Sequence, residues 1–289
     1  MNAILRTEAV TRRFGTFTAV DTVSLAVGAG EAVGLLGANG AGKTTVIRML
    51  LGLLAPSAGT VTLFGGPPDL SRRARLGYVP QNLGLYRDLT VAENLEFGAA
   101  AYGVAVPALP EPLAADADVL VGDLPLGTQR QAAFFLALAH APEALVLDEP
   151  TSGVDALARA RLWDVLREQA DRGVAVLVTT HYMEEAQQCD RLLLMADGRL
   201  VAAGDEQAVI GDTRTVAVRG PDWTRTFAAL DEAGIPVILA GRDVRVPDTD
   251  ETILRKVLSA AGIEAEIQPV PATIEERMLT LSRETGGSR

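Results

Sequence analysis

One glycine-rich segment combines residue types and a spacing that suit the binding of phosphate groups. It reads G-A-N-G-A-G-K-T over residues 37–44, which fits the pattern G-x-x-x-x-G-K-[ST]. A short apolar run, Ala32 to Leu36, precedes it, and a helical pattern, Thr44 to Leu54, follows it. Glycines let successive backbone N–H groups face phosphate oxygens, and the N-terminus of a helix adds a favourable dipole. The alternative is a glycine-rich turn that only connects a strand to a helix.

The same segment predicts individual roles. We expect Lys43 to reach the β and γ phosphates of a nucleotide and Thr44 to hold Mg²⁺. Of the 26 Lys and Arg residues, only Lys43 and Lys256 are Lys, so a lysine at position 43 suggests a site where Arg would not serve. The residues expected to contact the nucleotide phosphates are Gly37, Ala38, Asn39, Gly40, Ala41, Gly42, Lys43, Thr44 and Thr45.

A second segment places two carboxylates at the end of an apolar strand. The run Ala144 to Leu147 is followed directly by Asp148 and Glu149. Acids at the carboxyl end of a buried parallel strand face the ligand crevice of an α/β sheet. We therefore expect Asp148 to bind Mg²⁺, directly or through water, and Glu149 to orient or deprotonate an attacking water. The alternative is a solvated strand end with ordinary charges.

The longer segment around these acids carries a family resemblance. Residues 147–155 read L-D-E-P-T-S-G-V-D, and together with the phosphate loop they resemble the nucleotide-binding subunit of ABC transporters. The resemblance covers roughly residues 2–210, with the motifs in the family's order and spacing. It implies an α/β fold, the P-loop NTPase domain of ABC ATPases with a mixed β-sheet and helices. It also implies ATP and Mg²⁺ as cofactors, and a homodimer or a pairing with a related ATPase subunit.

Four further positions take roles from the resemblance, each with a simpler alternative. Phe14 matches an aromatic residue that stacks on adenine, and it could instead be a strand core residue. Gln81 matches a residue that contacts Mg²⁺ and the attacking water, or it is an ordinary loop glutamine. Asp155 matches an aspartate that links the two subunits, and it suits a helix N-cap as well. His181 matches a histidine that contacts the γ-phosphate, or it is structural; for His140 we expect a structural role.

One motif departs from the family pattern. The family has L-S-G-G-Q at the start of a helix that presents N–H groups to ATP held by the other subunit, whereas residues 124–128 read L-P-L-G-T. Pro125 supplies neither the serine hydroxyl nor an N–H, so Gly127 is expected to keep one backbone donor. The flanking G-D-L-P-L-G resembles a variant branch of ABC-2-type export ATPases. The departure leaves open a nucleotide-gated regulatory module that hydrolyses little ATP.

The pattern of elements changes near Gly211. Strand, helix, strand, strand, helix and strand follow in order, which predicts a small α+β, ferredoxin-like accessory domain over 212–289, after an ATP-binding domain over 1–211. A helical subdomain is expected at about 88–140, shortened because residues 103–123 form only a short, proline-punctuated stretch. The end of the chain, 271–281, resembles the closing helix of ABC-2-type accessory domains, or it is a generic amphipathic helix.

Composition limits the possible partners and compartments. The formal net charge of −11 argues against a surface that binds nucleic acid. The run Ala132 to Ala141 is too short for a membrane span, which needs about 20 apolar residues. Cys189 is the only cysteine, which excludes an intramolecular disulfide. We expect a cytoplasmic protein, and the resemblance implies a peripheral position on the inner face of the cell membrane through an ABC-2-type permease. A soluble ABC protein acting on ribosomes or DNA is a third alternative.

Overall fold

The computed structural model describes residues 3–111, 113–180 and 182–286. It divides into two compact units, Met1–Ala203 and Gly204–Arg289. The second unit therefore begins at Gly204 rather than at Asp212. The difference has a structural reason, because the short helix Glu206–Ile210 packs against the last helix of the chain.

The first unit contains nine strands and six α-helices within the described ranges. In chain order they are β1 (Ala3–Phe14), β2 (Phe17–Gly28), β3 (Ala32–Leu36), α1 (Lys43–Leu50), β4 (Ala58–Leu63), α2 (Leu70–Arg73), β5 (Leu76–Val79), α3 (Val91–Tyr102), α4 (Leu126–Leu138), β6 (Ala144–Asp148), α5 (Ala156–Asp171), β7 (Ala175–Thr180), α6 (Met183–Ala186), β8 (Arg191–Ala196) and β9 (Arg199–Gly204).

Two sheets organise this unit. The described strands β2, β1 and β4 form an antiparallel three-stranded sheet in that order, and a six-stranded sheet has the order β5-β6-β7-β3-β8-β9. In it, the pairs β5–β6, β6–β7, β7–β3 and β3–β8 are parallel. The carboxyl ends of these parallel strands meet at one edge of the sheet, which is where a ligand crevice is expected.

The central strands are buried on both faces because their side chains alternate between two cores. In β6, Val146 belongs to the core beneath β1, β2 and α1, whereas Leu145 and Leu147 belong to the core against α4 and α5. Strand β7 divides in the same way, with Leu177 in the first core and Val178 in the second. Period-two alternation into two apolar layers explains why these strands are apolar at nearly every position.

Two local predictions differ from the structure. Helix α1 ends at Leu50 instead of Leu54, because Gly52 takes a left-handed φ of 67° that stops the helix. Residues 99–118 are rich in Ala and Pro, which predicts a loose connection, but they begin as the last turn of α3 and include the 3₁₀ turn Leu113–Asp116. In contrast, His140, for which a structural role is expected, lies just after α4 and stacks on the ring of Tyr102, with ring centroids 3.7 Å apart.

The second unit contains α7 (Glu206–Ile210), β10 (Thr215–Arg219), α8 (Trp223–Glu232), β11 (Ile238–Ala240), β12 (Asp243–Pro247), α9 (Glu251–Ala260), β13 (Glu266–Val270) and α10 (Ile274–Gly286). Its described strands form an antiparallel sheet in the order β11-β12-β10-β13. Strand β11 begins only at Ile238, because the amide of Ile235 donates to the carbonyl of Leu230 and closes the end of α8.

A buried ion pair anchors the last helix to this sheet. Glu276 is 1% exposed, and its carboxylate accepts hydrogen bonds from Arg245 of β12, Thr215 of β10 and the amide of Thr273. The paired charge explains how an acid can lie in an otherwise apolar core. Among the described helices of the two units, none is both long and apolar enough to cross a bilayer.

Candidate active site

The phosphate loop connects β3 to α1 in a geometry that requires glycine. Gly42 is the N-cap of α1 with a φ of 100°, and a Cβ atom there would lie 2.7 Å from the carbonyl oxygen of Ala19. Its carbonyl accepts the amide of Val46 and so begins the helix. The loop therefore ends directly in the N-terminus of α1, where unpaired amides suit an anion.

Lys43 lies beneath this loop and is 5% exposed. Its Nζ donates to the carbonyl oxygens of Gly37 at 2.7 Å and Ala38 at 3.2 Å, and lies 3.9 Å from Oε1 of Glu149. Burial lowers the pKa of Lys43, while the charges of Glu149 and Asp148 oppose that effect. Lys43 is therefore held against the phosphate loop, with the carboxylate of Glu149 just within ion-pair distance.

The two predicted acids are buried: Asp148, the last residue of β6, is 2% exposed, and Glu149, directly after it, is 9% exposed. Strand β7 runs beside β6 with Thr179 in register with Asp148. The hydroxyl of Thr179 donates to Oδ1 of Asp148 at 2.7 Å and accepts the amide of Glu149 at 2.8 Å. Oδ2 of Asp148 is buried without a hydrogen-bond partner among the described residues. A buried carboxylate oxygen in this state is suited to a cation.

Glu149 has an unusual backbone, with a φ of 52° that L-residues seldom adopt. Arg130 of α4, 7% exposed, donates from Nη1 to the carbonyl oxygen of Glu149 at 3.0 Å. Burial lowers the pKa of Arg130, and the charge of Glu149 opposes the shift. Nε2 of Gln81 donates to Oε2 of Glu149 at 3.4 Å. Strained residues held by several neighbours are typical of functional sites.

Two cavities meet at Thr44 and Gln81. The larger, about 450 Å³, is lined by the phosphate loop together with Phe14, Phe17, Gln81 and Glu149. The smaller, about 290 Å³, contains the three residues predicted to hold Mg²⁺, namely Thr44, Gln81 and Asp148. The described residues that line the larger cavity are Phe14, Phe17, Ala19, Asn39, Gly40, Ala41, Gly42, Lys43, Thr44, Thr45, Gln81 and Glu149.

Phe14 is a surface aromatic residue and not part of the core. It ends β1 with 47% of its area exposed, and the guanidinium of Arg12 lies 4.6 Å from its ring centroid. Its partner in the β1–β2 pairing is Phe17, which is 55% exposed and lines the same cavity. The sequence interpretation missed Phe17, although an aromatic residue three positions after Phe14 across a Gly-Thr turn would have indicated a second ring.

The three remaining predicted positions have different outcomes. Oδ1 of Asp155 accepts hydrogen bonds from the amides of Leu157 and Ala158, so Asp155 is the N-cap of α5. The bond from Ala158 contributes most to lowering the pKa of Asp155, and burial opposes that shift. Gly127 lies in the first turn of α4. Neither Asp155 nor Gly127 lines the two cavities in the part of the chain that the structure describes. His181 lies outside the described residues.

The departure at Pro125 removes less than the sequence suggested. Pro125 is the N-cap of α4, with φ −55° and ψ 146°, and its carbonyl accepts the amide of Gln129. The first helical residues are Leu126, Gly127 and Thr128, whose amides occupy the turn where a helix has no intrahelical partners. Gly127 keeps its backbone amide in this first turn, together with those of Leu126 and Thr128, whereas Pro125 has none.

Comparison with known proteins places this geometry in context. A family model described as ABC transporter matches residues 20–152. Nod factor export ATP-binding protein I of Paraburkholderia xenovorans (strain LB400) is 39% identical over 304 residues, which cover 97% of each chain. The probable multidrug ABC transporter ATP-binding protein YbhF of Escherichia coli (strain K12) is 40% identical over 239 residues, covering 78% of this chain. This chain spans 41% of that protein's length.

The solved structures show the same fold. A structure described as the ATP binding subunit of an ABC transporter superposes with a TM-score of 0.65 at 28% identity, covering 72% of this chain and 92% of that one. The ADP conformation of the ATP-binding cassette MJ1267 superposes with a TM-score of 0.59 at 26% identity, covering 71% and 92% respectively. The predicted α/β ATPase fold is confirmed.

Proposed function

This chain belongs to the family of ABC transporter ATP-binding proteins, and we propose that it is the ATP-hydrolysing subunit of an exporter that drives a separate membrane permease. One observation carries the proposal. Lys43, Glu149 and Gln81 line a single cavity of about 450 Å³ beside the phosphate loop. A buried cation, an adjacent buried acid and an amide at 3.4 Å from that acid are the groups that phosphoryl transfer to water requires.

The proposed chemistry assigns one task to each group. ATP binds with its phosphates on the amides of the loop and its adenine against Phe14, and Lys43 offsets charge on the β and γ phosphates. Glu149 orients a water and accepts its proton as the water oxygen forms a bond to the γ phosphorus. The bond from that phosphorus to the β–γ bridging oxygen breaks, which yields ADP and inorganic phosphate. Positioning and charge stabilisation supply most of the rate in such reactions.

We propose that Mg²⁺ is held by Thr44, Gln81 and Asp148. The three residues line one cavity of about 290 Å³ and supply oxygen ligands, which Mg²⁺ prefers. The partnerless Oδ2 of Asp148 fits a cation in particular. The ion, when bound, neutralises charge that develops on phosphate oxygens.

We propose that two copies of this chain, or this chain and a related subunit, enclose the nucleotides. The sequence has a single phosphate loop. The first-turn amides of α4, including that of Gly127, would face ATP held by the opposite subunit, and Asp155 would lie at the contact between them. His181 would contact the γ-phosphate. Leu126 is 43% exposed at the start of α4, which keeps this turn accessible to a partner.

We propose that the membrane partner is an ABC-2-type permease, contacted by the segment from Gln81 to Tyr86. Tyr86 and Phe97 form an edge-to-face pair with centroids 5.1 Å apart, and both rings are about half exposed. Asn94 holds the backbone of Tyr86 through two hydrogen bonds of 2.9 Å. An ordered, exposed aromatic pair suits a protein interface. The ATPase would lie on the cytoplasmic face of the membrane, with the second unit as a ferredoxin-like accessory domain. The names of the relatives favour export.

The test is phosphate release by the purified full chain at saturating MgATP, with and without the proposed permease partner. Lys43→Ala should abolish turnover and tight ATP binding, because it removes the charge that faces the phosphates. The matched control is Lys256→Ala, since Lys256 is the second of the two lysines and is exposed on α9 of the accessory unit. Unchanged ATP affinity in Lys43→Ala would refute the assignment. ATP binding without turnover, even with permease, would favour the nucleotide-gated regulatory module.

A further inference from the structure

We propose that Thr179 is a positioning residue that holds both acids of the site in their working geometry, an inference that rests on the function proposed above. Thr179 lies on β7, is fully buried, and is in register with Asp148 on the neighbouring strand. A threonine hydroxyl has one proton to donate and lone pairs to accept. Here its proton goes to Oδ1 of Asp148, and its oxygen accepts the amide of Glu149.

The bond to Glu149 matters because that residue has a backbone that must be held. Its φ of 52° lies in a region that costs free energy for an L-residue. Thr179 holds the amide side of the residue, and Arg130 holds the carbonyl side. Both hydrogen bonds are buried, and the carbonyl of Glu149 also accepts the amide of Ser152 at 3.3 Å, so the peptide groups of Glu149 are held from both sides. We infer that the direction of the Glu149 side chain toward the cavity depends on these hydrogen bonds to its peptide groups.

The bond to Asp148 separates the roles of its two oxygens. Thr179 occupies Oδ1, whereas Oδ2 is buried and has no partner in the described residues. One hydroxyl therefore fixes the rotation of the Asp148 carboxylate and determines which oxygen is presented to a cation. Because the same hydroxyl also holds Glu149, its removal should disturb cation binding and turnover together, although Thr179 itself touches neither reactant.

The experiment compares Thr179→Val with Thr179→Ser in the full chain. Valine keeps the shape and removes the hydroxyl, and serine restores the hydroxyl. An error of about 1 Å in placing a catalytic group can cost about a hundredfold in rate. We expect Thr179→Val to lower kcat about 10- to 100-fold while the KM for ATP stays within about threefold. We also expect Mn²⁺, used as the probe ion and followed by EPR, to bind the ATP complex several-fold more weakly. Thr179→Ser should return both values to within about threefold of the parent.

A matched control exists on the other sheet. Thr7 of β1 is 1% exposed, and its hydroxyl donates to the carbonyl of Val23 and accepts the amide of Leu25. Thr7→Val therefore removes the same pair of buried bonds away from the cavity, and it should leave kcat and Mn²⁺ affinity unchanged. Equal losses in Thr7→Val and Thr179→Val would overturn the inference, since they would report general destabilisation.

The outcomes separate this inference from the proposed function. A parent that binds MnATP but shows no turnover, with or without permease, would refute hydrolysis, and the Mn²⁺ affinities would still decide the role of Thr179. An active parent with equal kcat and Mn²⁺ affinity in Thr179→Val would refute the positioning role alone. Should Thr179→Val not fold, Thr179→Ala is compared with Thr179→Ser and Thr7→Ala on the same measurements.

Discussion

Glu149→Gln separates the charge of this residue from its shape. The amide is close in size to the carboxylate and keeps the backbone bonds with Thr179 and Arg130, which involve only the peptide groups of Glu149. It cannot accept a proton from water at neutral pH. General base catalysis contributes about 10²–10⁴ in rate, so we expect kcat to fall by that factor.

The effect on ATP binding has the opposite sign. Oε1 of Glu149 lies 3.9 Å from Nζ of Lys43, and at an effective dielectric constant of about 20 two unit charges at that distance interact by about 4 kcal/mol. Neutralising Glu149 frees Lys43 for the phosphates and removes a negative charge that faces them. Solvent and the remaining charges screen most of this energy. We expect a gain of about 1 kcal/mol, or roughly a fivefold rise in ATP affinity.

The assay is phosphate release at saturating MgATP, combined with the affinity for a fluorescent ATP analogue. Glu143→Gln is the matched control, because Glu143 precedes the same strand but pairs on the surface with Arg75 at 2.6 Å. It should change neither value by more than about twofold, as expected for an exposed ion pair. Parental turnover in Glu149→Gln, or an affinity weaker than that of the parent, would refute the reasoning about this acid.

Three further predictions concern other parts of the chain. Pro125→Ser with Leu126→Gly should change kcat less than about threefold, because the first turn of α4 already offers its amides; a tenfold rise in phosphate release would show that the missing hydroxyl limits the rate. Burial raises the pKa of Cys189 to about 12, so DTNB at pH 8 should label the native chain at least about a hundredfold more slowly than the unfolded chain, and fast labelling would contradict this burial. Burial raises the pKa of Glu276, but hydrogen bonds, first that of Arg245, hold it below its ordinary value. Its stabilisation of the second unit is therefore full above about pH 4.3 and is lost as the pH falls through the lower folded-state pKa. Glu276→Gln should cost about 3 kcal/mol at pH 7 in urea unfolding and progressively less in acid, and a pH-independent difference would contradict the assignment.

Local chemistry made much of the site predictable. The phosphate loop is a contiguous segment whose glycine spacing permits few other backbone paths. Strand β6 is indicated by an apolar run that is followed by two acids. Asp155 was recognisable as an N-cap because capping depends only on the next few residues. The sequence pattern also predicted the buried strands β3 and β6: the apolar run for β3 has the observed bounds, and the run for β6 ends one residue early, at Leu147.

Other features depend on residues that are distant in the chain. Nothing near Thr179 shows that its hydroxyl joins Asp148 to Glu149, because that contact requires the parallel pairing of β6 with β7. Likewise, the sequence around Arg130 does not show that this residue of α4 donates a hydrogen bond to the carbonyl of Glu149. The second unit begins at Gly204 for a similar reason, since α7 packs against a helix far along the chain.

The amino-acid sequence by itself determined which residues are candidates for the chemistry, because spacing within a loop, a strand or a cap is a local property. The tertiary structure alone decided how those residues are held. The left-handed backbone of Glu149, the partnerless oxygen of Asp148 and the place of Pro125 before the first turn of α4 all arise where separate elements meet. Hydrogen bonds across strands and between helix and loop select these geometries, and their partners become neighbours only when the sheet has formed.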